Sequence, residues 1–118
     1  MNLNWSCGGL ANGLRCYRAE EFFEAHEHWE AVWLASEEPE KTFLQALIQT
    51  SAAFHHLRRR NGVGASSLLT RALRKLDSYP AVYGGVEVEE LRASMRGWLR
   101  ALEGGDGSAG QLPFPRIG

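Results

Sequence analysis

Three histidines and a run of carboxylates supply the side chains that could do chemistry. His26 and Glu30 stand four positions apart within EEFFEAHEHWEAVW, residues 20–33. On a helix turning about 100° per residue, positions i and i+4 are neighbours. An imidazole and a carboxylate so placed can bind one divalent ion from one face, as the two histidines of an HExxH helix do. HEHWE differs from that motif, because Glu30 stands where the second histidine would be. His55 and His56 are the candidates for a third ligand. If the helices carrying the two groups pack antiparallel, His26 comes level with Ser51 to His55. Two histidines and one carboxylate are a recurrent set for Zn, Mn and Fe(II). Glu27 would then be the general base on a bound water, and the chemistry would be metal-dependent hydrolysis.

The same residues carry a structural reading, and physics alone favours it. Phe22, His26, Trp29 and Trp33 fall on one helical stripe, with Ala25 beside it and Glu30 at its edge. A His/Glu pair at least half buried among aromatics is then a polar network, since buried polar groups hydrogen-bond one another. Gln45 and Gln49 share a face of the next helix. Gln49 is expected to clamp Glu27 or Glu30, as a buried carboxylate requires a partner. Its functional alternative is a hydrogen-bond donor to substrate. In this reading the protein is a structural or partner-binding module.

These side chains need helices to position them. Leu10, Leu14 and Tyr17 predict a short leading helix, weakened at Gly13 by about 1 kcal/mol relative to Ala. A main helix is expected from about Ala19 to Ala35, with Glu20, Glu21 and Glu24 at the positive end of its dipole. Pro39 suits the first turn of a third helix reaching about Arg60, with Asn61-Gly62 as its stop. A fourth is expected over about Ala65 to Ser78, with Ser66, Ser67 and Thr70 as capping residues near its start. Residues 81–86 read as a loop, and a fifth helix runs from about Val88 to Leu102. The fold class is all-α. It is a compact bundle of four main helices plus a short leading one, with the second and third as a central antiparallel pair. Residues 1–103 form the domain. Residues 104–118 form a Gly-rich linker and an extended, Pro-containing tail.

Composition narrows the function classes. The 118 residues are 44% hydrophobic and 23% charged, with a formal net charge of -1. That is one globular domain without the basic surplus of a nucleic-acid binder. The basic cluster Arg58, Arg59, Arg60, Arg71, Arg74 and Lys75 lacks interleaved aromatics and reads as solvated helix ends. No apolar run is long enough to span a membrane, and MNLNWSCGGL has neither the basic start nor the apolar stretch of a secretory signal. A cytoplasmic location follows. Cys7 and Cys16 have no CxxC spacing and are expected as free thiols. Trp29, Trp33 and Trp98 have core spacing, while Trp5 stands outside it and is expected to pack on the bundle or on a second subunit. A homo-oligomer or another protein is the partner expected.

The segments FFEAHEHWEAVW, FLQALIQTSAAFHH at 43–56 and RNGVGASSLLTRAL at 60–73 resemble the bacterial and archaeal family called domain of unknown function 309. The resemblance runs from about Leu14 to Leu102. It implies an all-helical fold. The activity suggested for members, metal-dependent hydrolysis, coincides with the His26/Glu30 reading and with a divalent ion as cofactor.

Overall fold

The computed structural model describes residues 3–104 and 112–117. Its elements are α1 (Gly8–Arg18), α2 (Phe22–Leu34), α3 (Glu40–Arg58), α4 (Gly62–Leu76), β1 (Val82–Tyr83), β2 (Val86–Glu87) and α5 (Val88–Gly104). The all-α expectation holds, with one addition. Residues 82–87 form a two-stranded antiparallel hairpin, pairing Val82 with Glu87 and Tyr83 with Val86. Gly84 and Gly85 turn it with φ of 57° and 80°, which side chains rarely tolerate. The hairpin docks on the start of α3. There Tyr83 Oη donates to Glu40 at 2.9 Å and Tyr79 Oη to the Pro39 carbonyl at 2.5 Å. Burial, then the Glu40 carboxylate, pushes the Tyr83 hydroxyl up to about 12.

The second helix begins later than expected, at Phe22. The chain breaks at Glu20, whose φ is +62°, so Glu20 and Glu21 lie outside α2. Arg58 holds this turn from the end of α3, donating to the Glu20 carbonyl at 2.6 Å and pairing with its carboxylate. The leading helix is correspondingly longer than expected. The stop of α3 is also displaced: Arg60, not Asn61, takes the left-handed conformation, with φ of 60°. Asn61 instead caps α4, accepting from the Gly64 amide at 2.9 Å. Ser66, Ser67 and Thr70 therefore lie inside α4 and do not cap it; the Thr70 hydroxyl bonds back to the Ser66 carbonyl at 2.8 Å.

The central pair is antiparallel. The start of α2 meets the end of α3 where Phe22 packs on Phe54 at 5.5 Å and Ser51 Oγ donates to the Phe22 carbonyl at 2.8 Å. At the other end Lys41 Nζ lies 4.8 Å from the Trp33 ring centroid. On its other side α2 is crossed closely by α1. A Cβ at Gly13 would lie 2.3 Å from Trp29 Nε1, and one at Gly9 2.6 Å from Val32 Cγ2. The helix-weakening glycine thus makes room for the most central indole, which is fully buried and donates to the Leu10 carbonyl at 3.3 Å. The core continues through Phe43, Leu44, Leu47 and Phe54 of α3, Leu69 and Leu76 of α4, and Met95 and Trp98 of α5. Arg92 anchors α5 to the end of α4, donating to the Leu76 and Tyr79 carbonyls at 2.7 and 3.0 Å. Trp5 packs on the bundle, edge-on to Trp29, with its N–H on the Gly84 carbonyl at 2.7 Å.

Of the segment expected as linker and tail, residues 104–118, Gly104 instead ends α5, and residues 105–111 lie outside the described residues. The tail beyond them packs on the bundle. Phe114 lies against Phe22, Phe54 and Trp98, and Ile117 is buried.

Candidate functional site

The buried sector of α2 is centred on Phe22, Ala25 and Trp29. Seen along the helix, that sector is turned away from His26 and towards α1. The close approach of α1 at Gly9 and Gly13 covers the Trp29/Val32 side. His26 is left at the rim with its side chain 26% exposed, and Glu30 is 53% exposed. The half-buried Glu30 expected from the helical wheel is therefore corrected. His26 Nε2 and Glu30 Oε2 are 3.7 Å apart, a contact at the surface rather than inside a polar core. His26 Nδ1 lies 3.3 Å from the Phe23 carbonyl. Glu27 is exposed on the outer face.

His55 and His56 are both partly buried near the end of α3. The antiparallel packing brings His55 to the His26 end of α2, as expected. The Phe23 ring contacts both His26 and His55. Phe23 packs on His26 at 5.5 Å and on His55 at 5.2 Å between centroids, and His56 follows His55 at 5.9 Å. The row is imidazole, phenyl, imidazole, imidazole. Phe23 itself is 44% exposed. His56 Nδ1 lies 3.3 Å from the Asn61 side-chain amide.

The metal reading needs three donors aimed at one point within about 2.0–2.2 Å of the ion. Among the described residues, no group of three or more His, Cys, Asp or Glu side chains is placed to hold a metal ion. His26, Glu30, His55 and His56 as placed form no such group.

Gln49 turns away from α2. Its side-chain oxygen accepts from Lys75 Nζ of α4 at 3.0 Å, so the expected clamp on Glu27 or Glu30 is replaced by one between α3 and α4. Gln45, one turn earlier, is partly buried. Lys75 is held below its ordinary value by burial, and then by Arg71.

A cleft of about 310 Å³ opens beside the row, lined by Glu20, Glu21, Phe22, Phe23, Glu24, His55 and Arg58. Phe23 escapes a search for reactive side chains because its ring carries no reactive atom. Its signal was position, one residue off the buried stripe. Burial holds the His55 imidazole below its usual value. Arg59, His56 and His26 act in the same direction, against the opposing pull of Glu24. Near neutral pH the row is thus biased towards uncharged imidazole at His55. Along the exposed side of α2 run Glu24, Glu27 and Glu30, with Leu34 68% exposed at its end. The arrangement offers an apolar ring, hydrogen-bonding imidazoles and a line of carboxylates.

Residues 10–68 match the model of a family described as Domain of unknown function (DUF309). The match covers α1 from Leu10, then α2, α3 and α4 as far as Leu68, and so contains the whole row. No curated protein matches the chain.

Proposed function

The chain belongs to the DUF309 family, and from that premise we propose a partner-binding helical module whose docking face is the exposed side of α2. The observation that carries this is Phe23. Its ring is 44% exposed, yet it packs on both His26 and His55. A half-exposed aromatic on a rigid helix is a ready anchor for a partner, since aromatic residues concentrate binding energy at interfaces. Glu24, Glu27 and Glu30 set the partner's chemistry. They favour a basic, amphipathic segment that lays apolar side chains on Phe23 and Leu34 and cations along the carboxylates. The buried-network reading loses ground at Glu30, whose carboxylate is solvated. A cytoplasmic setting belongs to the same proposal and is supported by the free thiols of Cys7 and Cys16. No helix among the described residues is long and apolar enough to cross a membrane.

A cationic helical peptide of alternating Leu and Lys turns, titrated into the protein, tests this reading. We expect saturable binding that weakens with salt, drops about tenfold or more with Phe23→Ser, and falls again with Glu24→Gln and Glu27→Gln combined. Binding indifferent to Phe23 and to those carboxylates would remove the proposed face.

A further inference from the structure

We propose that the bundle carries a second binding site, separate from the α2 face: a groove for extended peptides with an aromatic residue between prolines. The chain's own tail occupies it in cis.

The groove is built from four helices. Tyr17 of α1 donates its hydroxyl to the Pro115 carbonyl at 2.6 Å. Trp98 of α5 donates its indole N–H to the Pro113 carbonyl at 2.9 Å. Between these two bonds the Phe114 ring enters an aromatic slot, 4.9 Å from Phe22, 5.0 Å from Phe54 and stacked on Trp98 at 5.4 Å. The Arg58 guanidinium covers the slot, 5.5 Å from the Phe114 centroid.

Donors and acceptors match in a way that suits proline. These two contacts offer the peptide N–H and O–H donors. Pro113 and Pro115 have no backbone N–H, so each presents a carbonyl and leaves no donor to satisfy. The ring of each proline fixes φ, and Phe114 is held extended because a proline follows it. Such a segment loses little conformational freedom on docking. Aromatic-lined grooves that read carbonyls of extended proline segments are a general mode of peptide recognition. Ile117, 1% exposed, adds a second anchor three positions after Phe114. A cleft of about 410 Å³ runs along the docked segment, so the groove has room for bulkier neighbours than this tail supplies.

Residues 105–111 tether the tail to α5. A short tether holds a ligand at roughly millimolar effective concentration. A peptide from solution must outcompete that, so the site is masked until the tail is weakened or a stronger segment arrives.

The test uses the full chain and a blocked synthetic peptide of sequence LPFPRI, followed by calorimetry and Trp fluorescence. The Phe114→Ala chain, confirmed folded by circular dichroism, should bind the peptide one to one. Wild type should bind it roughly tenfold or more weakly. The same peptide with alanine in place of its phenylalanine should bind neither. Should Phe114→Ala fail to fold, a chain with 14 Gly/Ser residues inserted between 105 and 111 keeps groove and tail intact. Tripling the tether lowers the effective concentration about fivefold by the −3/2-power dependence, and apparent peptide affinity should rise by a similar factor. No binding to a folded Phe114→Ala chain, or equal binding by wild type and variant, would overturn the proposal. So would an affinity unmoved by the longer tether where that chain is the one tested.

Discussion

Trp29 and Gly13 act as one unit, and each predicts the effect of changing the other. The indole is fully buried and bonds to the Leu10 carbonyl. Trp29→Ala should cost about 3–5 kcal/mol, read as a shift in the denaturant midpoint. Gly13→Ala improves helix propensity by up to about 1 kcal/mol. Its methyl would nevertheless fall 2.3 Å from the indole nitrogen, inside any real contact distance. Overpacking of that kind costs about 1–3 kcal/mol, so the net change should be destabilising. A more stable Gly13→Ala chain would show that α1 can slide off α2. His55 supplies a pH dependence at the same scale. Its folded value lies below its unfolded value of about 6.5, so on acidification the unfolded chain takes up the proton first. Its contribution is then fully present above about 6.5 and is lost as pH falls from there towards the folded value. Urea midpoints measured from pH 8 to pH 5 should fall less steeply for His55→Gln than for wild type.

At the scale of the element, the ends were harder to read than the middles. Leu68, Leu69, Ala72, Leu73 and Leu76 place α4 by periodicity, and burial falls on Ala65, Leu69, Ala72 and Leu76. Its start lies three residues before the expected one, because two serines resemble caps and Asn61 resembles a stop. The competition was settled by Arg60, which takes the left-handed position and frees Asn61 to cap. Asn61→Ala should therefore lower stability by about 1 kcal/mol, whereas Ser66→Ala and Ser67→Ala should stay within about half a kcal/mol. Thermal melts of the three variants separate the assignments. The break before α2 had no Gly or Pro to announce it. It rests on a tertiary contact, Arg58 on Glu20, that no local pattern contains. The hairpin is too short for alternation to show, and only Gly84-Gly85 hinted at a turn. The candidate site followed the same rule. Periodicity placed His26 and His55 at one end of the central pair. It could not show that α1 would cover the Trp29/Val32 side of α2 while Glu30 lies in solvent, because that contact is made at two glycines in another helix.

Across the whole molecule, aromatic contacts join what the connections separate. Tyr17 of α1 packs on Phe22 and Trp29 of α2, Phe22 on Phe54 of α3, and Phe54 on Trp98 of α5. Phe114 of the tail touches three of these rings. Arg92 ties α5 to the end of α4 through carbonyls that would otherwise lack this donor. The Cα radius of gyration is 13.4 Å, and about 13–14 Å is expected for one compact domain of this length. Together these contacts join α1, α2, α3, α5 and the tail through one set of rings, with α4 tied in through Arg92. We therefore propose that residues 1–103 unfold as one cooperative unit. The four tryptophans make this testable, because Trp5 and Trp29 report on the α1/α2 layer and Trp98 on α5. Urea transitions followed by far-ultraviolet circular dichroism and by Trp fluorescence should coincide in midpoint and slope. Replacing Trp98 by Phe should leave the coincidence intact, while moving both midpoints to lower urea together. The indole donor to the Pro113 carbonyl is lost with that change, and a tail anchored to the common core should weaken the whole. An early fluorescence transition, completed before helicity falls, would instead make α5 and the tail a separate layer resting on an independently stable α1–α4 body.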